Sequence, residues 1–147
     1  MRILKEDKYS KVWRDGPDWV YKRQHEFLTD NEYWCLTRMY PSGFVPKVEK
    51  LDRDLIRTCY IQNGNSYSAD TPLVFLEQSI LAALAVAGIR HGDLTKYSVL
   101  IDDVDGHPYI IDFAESRLWS DPRPDKRPEG DAYWLHKTMK GYVDGTT

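Results

Sequence analysis

The start of the chain alternates apolar and polar residues in short runs, which is the pattern of half-buried strands. The runs predict strands at residues 3–5, 11–14 and 19–24. Between the second and the third lies Asp15-Gly16-Pro17-Asp18, a turn signal because glycine and proline both favour tight reversals of the chain. The chain is therefore predicted to begin with three strands.

A helix is predicted next, over residues 30–39. Its start carries Thr29 and, three residues later, Glu32, which is the spacing of a capping box. Pro41 and Gly43 follow and end the helix. Two further short strands are predicted at residues 47–51 and 55–61.

The clearest helix comes after the polar stretch at residues 62–66, which is the only plausible boundary between two lobes. Thr71 is placed to cap its start, Pro72 suits its first turn, and Gly88 suits the left-handed position after its end. Apolar residues recur at spacings of three and four, so one face is predicted to be buried. They are Leu73, Leu76, Ile80, Leu84 and Ala87.

Two acidic residues frame a predicted hairpin in the second half of the chain. His91-Gly92-Asp93-Leu94 precedes a strand at residues 99–102, and a second strand at residues 109–112 runs back. Antiparallel pairing brings both ends of a hairpin to the same edge, so Asp93 and Asp112 are predicted to be neighbours. A loop at residues 121–130 and a helix at residues 131–142 complete the pattern.

Composition and charge narrow the class of protein. The 147 residues fit one compact domain, and a content of 41% hydrophobic and 29% charged residues is ordinary for a globular chain. A net charge of −3, with both signs interspersed, does not indicate a strong attraction to nucleic acid or to acidic membranes. The longest apolar run, residues 80–89, is too short to span a bilayer.

The cysteines and the turn of the hairpin do not indicate a metal cluster. Cys35 and Cys59 are too few for a disulfide framework, and no signal peptide is recognisable, so we interpret them as reduced thiols of a cytoplasmic protein. Asp103 and Asp105 have a spacing that faintly resembles a calcium loop, but the following Gly106 favours a hairpin turn.

The segment around the predicted hairpin carries a specific resemblance. Residues 91–100 read His-Gly-Asp-Leu-Thr-Lys-Tyr-Ser-Val-Leu, and residues 110–114 read Ile-Ile-Asp-Phe-Ala. Together they resemble the catalytic loop and the metal-binding segment of the protein-kinase-like superfamily. The His-Gly-Asp-Leu form is more similar to the atypical RIO-type and Bud32-type kinases, and more distantly to the aminoglycoside phosphotransferases, than to ordinary protein kinases.

This resemblance covers most of the chain and implies an α+β fold with two lobes. An N-terminal antiparallel sheet with one helix, residues 1–61, would be joined by a hinge at residues 62–68 to a reduced helical C-lobe at residues 69–147. The resemblance also implies an ATP- and Mg²⁺-dependent phosphotransferase, a serine/threonine protein kinase of atypical type, that transfers the γ-phosphate to a hydroxyl. The last helix, which starts at Asp131, resembles the helix that supports the catalytic loop.

The same resemblance implies individual roles, and each suits the chemistry of its side chain. Lys22 would offer a cation to the nucleotide phosphates, and Glu32 would hold that lysine in place. Asp93 would accept or orient the proton of the attacking hydroxyl. Asp112 would coordinate Mg²⁺, a hard ion that prefers carboxylate and phosphate oxygens. The remaining implied site residues are Ser98 as a second metal ligand and Tyr9 and Ile61 in nucleotide binding.

Departures from the family pattern keep other functions open. Ser98 stands where the family usually has asparagine, Ala114 follows Asp-Phe in place of glycine, and residues 5–10 contain no glycine where a glycine-rich loop is expected. Glu6 and Asp7 would also bring negative charge close to the phosphates. A pseudokinase that binds nucleotide or protein is one alternative. A small-molecule kinase is another, although the chain is too short for an extra helical substrate region.

Some of these residues have ordinary structural interpretations as well. Lys22 by itself is a solvated lysine on a strand, and Asp131 by itself is a helix cap. The basic residues Arg123, Lys126 and Arg127 are a solvated loop or, in a kinase, meet an acidic group of the substrate. Because the C-lobe is so short, we expect a partner protein that completes its binding surface, besides a nucleotide and a hydroxyl acceptor.

Overall fold

The computed structural model describes residues 1–63, 72–125, 127 and 129–144. Its N-terminal strands are β1 (Arg2–Glu6), β2 (Ser10–Asp15), β3 (Trp19–Gln24), β4 (Val48–Asp52) and β5 (Leu55–Cys59). They form one antiparallel sheet in the order β1-β2-β3-β5-β4. In this register Lys22 lies between Val12 of β2 and Ile56 of β5, so the three side chains share one face of the sheet.

The first helix, α1 (Glu26–Met39), begins earlier than the capping-box spacing predicted. Its N-cap is His25, whose Nδ1 accepts a hydrogen bond from the Phe27 amide at 3.2 Å. Thr29 therefore lies inside the helix, where its hydroxyl donates to two backbone carbonyls of the preceding turn at 3.1 and 3.2 Å. The capping-box prediction was wrong, because His25 supplies the cap and leaves the Glu32 carboxylate for other partners.

Two helices, α2 (Leu73–Ala87) and α3 (Asp131–Asp144), follow the sheet. Gly88 ends α2 with a φ of 71°, the left-handed conformation that glycine adopts without strain. Pro72 is the N-cap of α2, and the predicted cap Thr71 lies outside the described residues. The predicted apolar face is confirmed, since its members are buried or packed on the core: Leu73, Leu76, Ile80, Leu84 and Ala87.

Four short strands complete the fold. They are β6 (Ile89–Arg90), β7 (Val99–Ile101), β8 (Pro108–Ile110) and β9 (Arg117–Leu118). β7 and β8 form the predicted antiparallel hairpin, with Val99 opposite Ile110, and β6 pairs with β9. The hairpin thus lies between the segment that carries Asp93 and the segment that carries Asp112.

The hydrophobic core lies where α1, α2, α3 and the hairpin meet. Its fully buried members include Ile56, Ile80, Ile89, Leu94, Val99, Ile101, Ile110, Phe113, Leu135 and Met139. Both cysteines are free, and burial raises the pKa of the Cys35 thiol to about 12. In the described part of the chain, no helix is long and apolar enough to cross a bilayer. The lobe boundaries stay a prediction, since residues 64–68 of the hinge lie outside the described residues.

Replacement of Ile80 by alanine tests whether α2 is anchored in this core. Ile80 is fully buried, whereas Val86 on the same helix is 87% exposed. Ile80→Ala should lower the free energy of unfolding by about 2–5 kcal/mol, because it removes buried methyl groups and leaves a cavity. Val86→Ala should change it by less than about 0.5 kcal/mol. Urea denaturation measures both variants, and equal effects would contradict the described packing.

Candidate active site

A cavity of about 760 Å³ lies between the sheet and the hairpin. It brings together most of the residues singled out from the sequence: Lys22, Glu32, Ile61, Asp93, Ser98 and Asp112. Apolar side chains, among them Val12, Val20, Leu36 and Leu100, line the rest of it. Tyr9 is not part of this lining. Its side chain is 69% exposed and borders a separate, open hollow beside β2 and β3.

Lys22 of β3 links the charged groups of the cavity. Its Nζ is 2.9 Å from Glu32 Oε1 and 3.0 Å from Asp112 Oδ1. Burial alone would lower the pKa of this ammonium group, but the two carboxylates outweigh burial and hold the pKa above its ordinary value. Lys22 is therefore a permanent cation at neutral pH, fixed in direction by two anions.

The Glu32 carboxylate connects α1 with two other parts of the chain. The residue is only 3% exposed. Oε1 accepts a hydrogen bond from Gln24 Nε2 at 2.8 Å, and Oε2 accepts one from the Phe113 amide at 3.1 Å. A buried carboxylate needs such partners because an unpaired charge away from water is strongly destabilising. Glu32 thus holds Lys22 and, at the same time, the backbone next to Asp112.

Asp112 has a backbone conformation that sets the direction of its side chain. Among the described residues it is the non-glycine residue with a positive φ, 68°. Burial acts to raise the pKa of its carboxyl, but the Lys22 ammonium outweighs burial, and the pKa lies below its ordinary value. Asp112 is therefore an ionised carboxylate in the cavity at neutral pH.

The backbone that follows Asp112 is anchored by Asn31 of α1. Its Nδ2 donates to the carbonyl oxygens of Ala114 and Ser116, both at 2.9 Å. These bonds fix the irregular segment after β8 against α1. No pattern in the sequence points to this role of Asn31, because an asparagine in a helix carries no motif of its own.

Asp131, at the start of α3, supports the loop that carries Asp93. Its two carboxylate oxygens accept hydrogen bonds from the backbone amides of His91 and Gly92, both at 2.8 Å. The His91 ring then joins the loop to the segment after β8. Nδ1 accepts from the Asp93 amide at 3.2 Å, and Nε2 lies 2.8 Å from the Ile111 carbonyl oxygen, which assigns the proton to Nε2. The carboxylate of Asp131 therefore supports the loop rather than serving only as a helix cap.

Asp93 is paired with Arg127, a residue of the loop that was predicted to be solvated. Arg127 Nε donates to Asp93 Oδ1, and the Arg127 guanidinium lies 4.6 Å from the centre of the Trp134 ring. Both Asp93 and Arg127 line the cavity. They are 34 positions apart in the chain, so only the folded structure reveals that they are neighbours.

Ser98 shapes the loop that presents Asp93. Its hydroxyl donates to the Asp93 carbonyl oxygen at 2.6 Å and accepts from the Thr95 amide at 2.9 Å. The residue is 2% exposed. Its role as a metal ligand stays a prediction, and a hydroxyl that already donates and accepts has one remaining lone pair for an ion.

The turn between β1 and β2 contains the residues for which the family resemblance implied a glycine-rich loop. The Asp7 carboxylate accepts hydrogen bonds from the amides of Tyr9 and Ser10 at 2.8 and 2.9 Å, and these bonds lower the pKa of Asp7. These two backbone amides are therefore already bonded to the Asp7 side chain. Neither Glu6 nor Asp7 belongs to the cavity lining, whereas Lys5 of β1 does.

The residues present suit a Mg²⁺ ion of the kind that binds together with a nucleotide. Among the described residues, no group of three or more His, Cys, Asp or Glu side chains is placed to hold a metal ion unaided. Protein sites for Mg²⁺ commonly use one or two carboxylates, with phosphate oxygens and water as the other ligands. The ionised Asp112 carboxylate fits that arrangement.

The ion pair of Lys22 and Asp112 predicts a pH-dependent contribution to stability. Because the folded-state pKa of Asp112 is lowered, this contribution is present above the ordinary value of 3.8 and is lost as the pH falls from there through the folded-state pKa. Asp112→Asn removes the charge, and asparagine tolerates a positive φ. Urea denaturation should show that the variant is less stable than the wild type at neutral pH, and that the difference shrinks in acid.

Lys22→Met is the control for this pH dependence. In the Lys22→Met background the ion pair is absent, so Asp112→Asn should change the neutral-pH stability less than it does in the wild type. If Asp112→Asn has the same effect in both backgrounds, the two side chains are not coupled and the assignment of the ion pair is wrong.

Residues 5–127 match the RIO domain family. The Rio2 kinase of Chaetomium thermophilum, solved as an ADP/Mg²⁺-phosphoaspartate complex, is 18% identical with a TM-score of 0.60, and the match covers 95% of this chain and 52% of that one. The kinase PK-1 of the Cydia pomonella granulovirus is 13% identical with a TM-score of 0.69, and the match covers 99% of this chain and 70% of that one.

These identities are low, so the two structures show a shared fold and no more. The chain spans about half the length of the Rio2 kinase that it matches. A search of curated proteins by sequence found no match. The five-stranded antiparallel sheet, the three helices and both structural neighbours confirm the predicted α+β, protein-kinase-like fold. Since the family match also covers most of the sequence, the chain belongs to the RIO domain family of atypical kinases.

Proposed function

We propose that the chain is an ATP- and Mg²⁺-dependent phosphotransferase that transfers the γ-phosphate to a serine or threonine hydroxyl of a protein. The observation that carries this proposal is the position of Lys22, held between Glu32 and Asp112 in the cavity that Asp93 also lines. Membership of the RIO domain family supports it, as does the ADP/Mg²⁺ complex of the similar Rio2 kinase.

The cavity offers both kinds of surface that a nucleotide needs. Its volume of about 760 Å³ falls within the range of sites for small molecules, roughly 300–1,000 Å³. Apolar side chains of the sheet and the hairpin, with Ile61, provide a surface for the base. Lys22 provides a cation for the phosphates, and Glu32 keeps that cation in place.

Asp112 is the residue that we assign to Mg²⁺. Its carboxyl stays ionised beside Lys22, and its positive φ is stabilised by the anchored backbone around it. When bound, the ion would neutralise the negative charge of the nucleotide phosphates. Ser98 is the second ligand in this proposal, in agreement with its position in the cavity lining.

Asp93 is the residue that we assign to the acceptor hydroxyl. In the proposed reaction the acceptor oxygen forms a bond to the γ-phosphorus, the bond to the oxygen between the β- and γ-phosphates breaks, and ADP leaves. The hydroxyl proton goes to the Asp93 carboxylate. The loop that carries Asp93 is fixed by Asp131, His91 and Ser98, and such fixed positioning is a large part of catalysis in phosphoryl transfer.

A pseudokinase that binds nucleotide without transferring phosphate is the second candidate. Two observations favour it. The Ser98 hydroxyl is engaged within the loop, and the Asp7 carboxylate occupies the turn amides that a glycine-rich loop would offer to phosphates. Both observations concern catalytic efficiency rather than the presence of the cavity, so nucleotide binding and phosphate transfer must be measured separately.

Substitution of the two aspartates tests the proposed roles. Asp93→Ala should lower the rate of phosphate transfer by about 10²–10⁴-fold, because it removes the acceptor of the proton. Asp112→Ala should abolish the Mg²⁺-dependent rate. Glu115→Ala is a matched control, since Glu115 is an exposed carboxylate in the segment that follows Asp112. Transfer from radiolabelled ATP to serine and threonine peptides and to the chain itself gives the rates; transfer that survives both aspartate substitutions would disprove these roles.

The change in thermal stability on addition of nucleotide tests whether the chain has a nucleotide-binding site. ATP with Mg²⁺ at about 100 times the dissociation constant should add about 2.7 kcal/mol to the stability. In a chain of this length that corresponds to a rise in Tm of roughly 5–10 °C. Lys22→Met should reduce the rise because it removes the cation that contacts the phosphates. A rise in the wild type without any phosphate transfer would favour the pseudokinase, and no rise at saturating ATP would rule out both.

A further inference from the structure

The segment after β9 lies against the catalytic loop. Arg90 Nη1 is 3.0 Å from Asp125 Oδ1, and Arg90 Nη2 donates to the Asp121 carbonyl oxygen at 2.6 Å. Asp125 also packs on Gly92, where a Cβ atom would lie 3.5 Å from Asp125 Oδ1. These contacts hold Asp121 and Asp125 against Arg90 and Gly92, and Asp125 lies two positions before Arg127.

The Arg127 guanidinium has a fixed orientation and unused donors. Nε donates to Asp93 Oδ1, and the ring of Trp134 lies 4.6 Å from the guanidinium carbon. Trp134 is itself held, since its Nε1 donates to Glu129 Oε2 at 3.0 Å. Throughout the described ranges, no carboxylate besides that of Asp93 forms an ion pair with Arg127. A guanidinium has five N–H groups in a rigid fork, so donors remain for a second anion.

The position of Arg127 relative to Asp93 indicates which anion this is. A carboxylate that receives the acceptor proton must lie about 2.6–3.2 Å from the acceptor oxygen. The phosphorus under attack lies about 3–3.5 Å beyond that oxygen. A guanidinium bonded to the same carboxylate, and lining the same cavity, is therefore close to the phosphoryl group while it is transferred.

The charges of the cavity show why such a cation is needed. Lys22 is already shared between Glu32 and Asp112, and the amides of the β1–β2 turn are bonded to Asp7. Lys5 lines the cavity, but its side chain is 62% exposed and lies 3.8 Å from the Asp7 carboxylate. Among the described residues that line the cavity, Arg127 is thus the cation bonded to Asp93, on the acceptor side of the proposed reaction.

We infer that Arg127 contacts the phosphoryl group in transit and is a further catalytic residue of this chain. The inference rests on the proposed phosphate transfer. Arg127 donates hydrogen bonds to phosphoryl oxygens, where negative charge is concentrated in the transition state, and it keeps its own proton throughout. Because its guanidinium would be bonded both to Asp93 and to the phosphoryl group, Arg127 also keeps the base, Asp93, and the phosphorus under attack in a fixed relative position.

Aluminium fluoride with ADP and Mg²⁺ tests the inference, because that combination mimics a phosphoryl group in transit. ADP affinity is measured by titration calorimetry with and without fluoride. The wild type should bind ADP roughly a hundredfold or more tightly in the presence of aluminium fluoride, as transition-state analogues do. Arg127→Gln should lose most of that gain and change the affinity for ADP alone little, because ADP has no phosphoryl group at that position. Its kcat should fall by about 10²–10³-fold.

Three further variants make the result specific. Arg123→Gln removes an equal charge from the same loop, at a side chain that is 68% exposed and paired with Asp121. Lys137→Gln removes a cation that lies 4.9 Å from the same Trp134 ring but is not bonded to Asp93. Both should keep the fluoride gain. Arg127→Lys keeps the charge and loses the fork, so its gain should fall between those of the wild type and Arg127→Gln.

The outcomes separate this inference from the proposed function. A fluoride gain that survives Arg127→Gln, or that is lost equally in Arg123→Gln, overturns the inference. The inference is also overturned if the only defect of Arg127→Gln is a raised KM for acidic peptides, since Arg127 would then bind the acceptor. ADP binding without any fluoride gain in the wild type overturns the inference and leaves the transfer assay to decide the function. No ADP binding at all would overturn both.

Discussion

The structure depends on one buried carboxylate, that of Glu32. It is 3% exposed, and its oxygens are satisfied by Lys22, by Gln24 and by the backbone of Phe113. Loss of one partner of a buried ion pair typically costs about 3–5 kcal/mol, because the remaining charge is left without compensation. The partners of Glu32 come from β3 and from the segment after β8, so one carboxylate joins α1 both to the sheet and to the segment that follows the hairpin. The arrangement of the cavity and the stability of the fold therefore depend on the same buried group.

The segments that carry the two aspartates are irregular, and side chains from helices satisfy their backbones. The Asp131 carboxylate accepts hydrogen bonds from two backbone amides of the loop that carries Asp93, and Asn31 donates to two carbonyl groups beyond Asp112. Because a buried backbone group without a partner is costly, these bonds restrict the loops to one conformation. The positive φ of Asp112, a conformation that costs a non-glycine residue about 1–3 kcal/mol, is retained for the same reason. Side chains of α1 and α3 can thus hold both segments rigidly.

The features of this arrangement that follow from a local pattern or a motif could be predicted from the sequence. The hairpin brings Asp93 and Asp112 into one cavity, and the periodic face of α2 is buried. The start of α1 was mispredicted, because Thr29 and Glu32 have capping-box spacing while His25, which caps less often, takes that role. Arg127 was left in a loop and Asn31 passed unnoticed. Their contacts join parts of the chain that are distant in sequence, and no periodicity or spacing encodes such contacts.

The same contacts explain how a kinase-like cavity is built without a glycine-rich loop. Backbone amides in such a loop approach phosphates closely because glycine has no side chain, whereas here Asp7 binds the turn amides and stiffens a short hairpin. The positive charge must then come from side chains that other contacts hold in place, since a mobile lysine or arginine loses much conformational entropy when it orders around a ligand. Lys22 is held by two carboxylates, and Arg127 is held by Asp93 and Trp134. Each cation is therefore already held in position by its neighbours, and under the proposed function this preorganisation is the physical basis on which the cavity would bind phosphate.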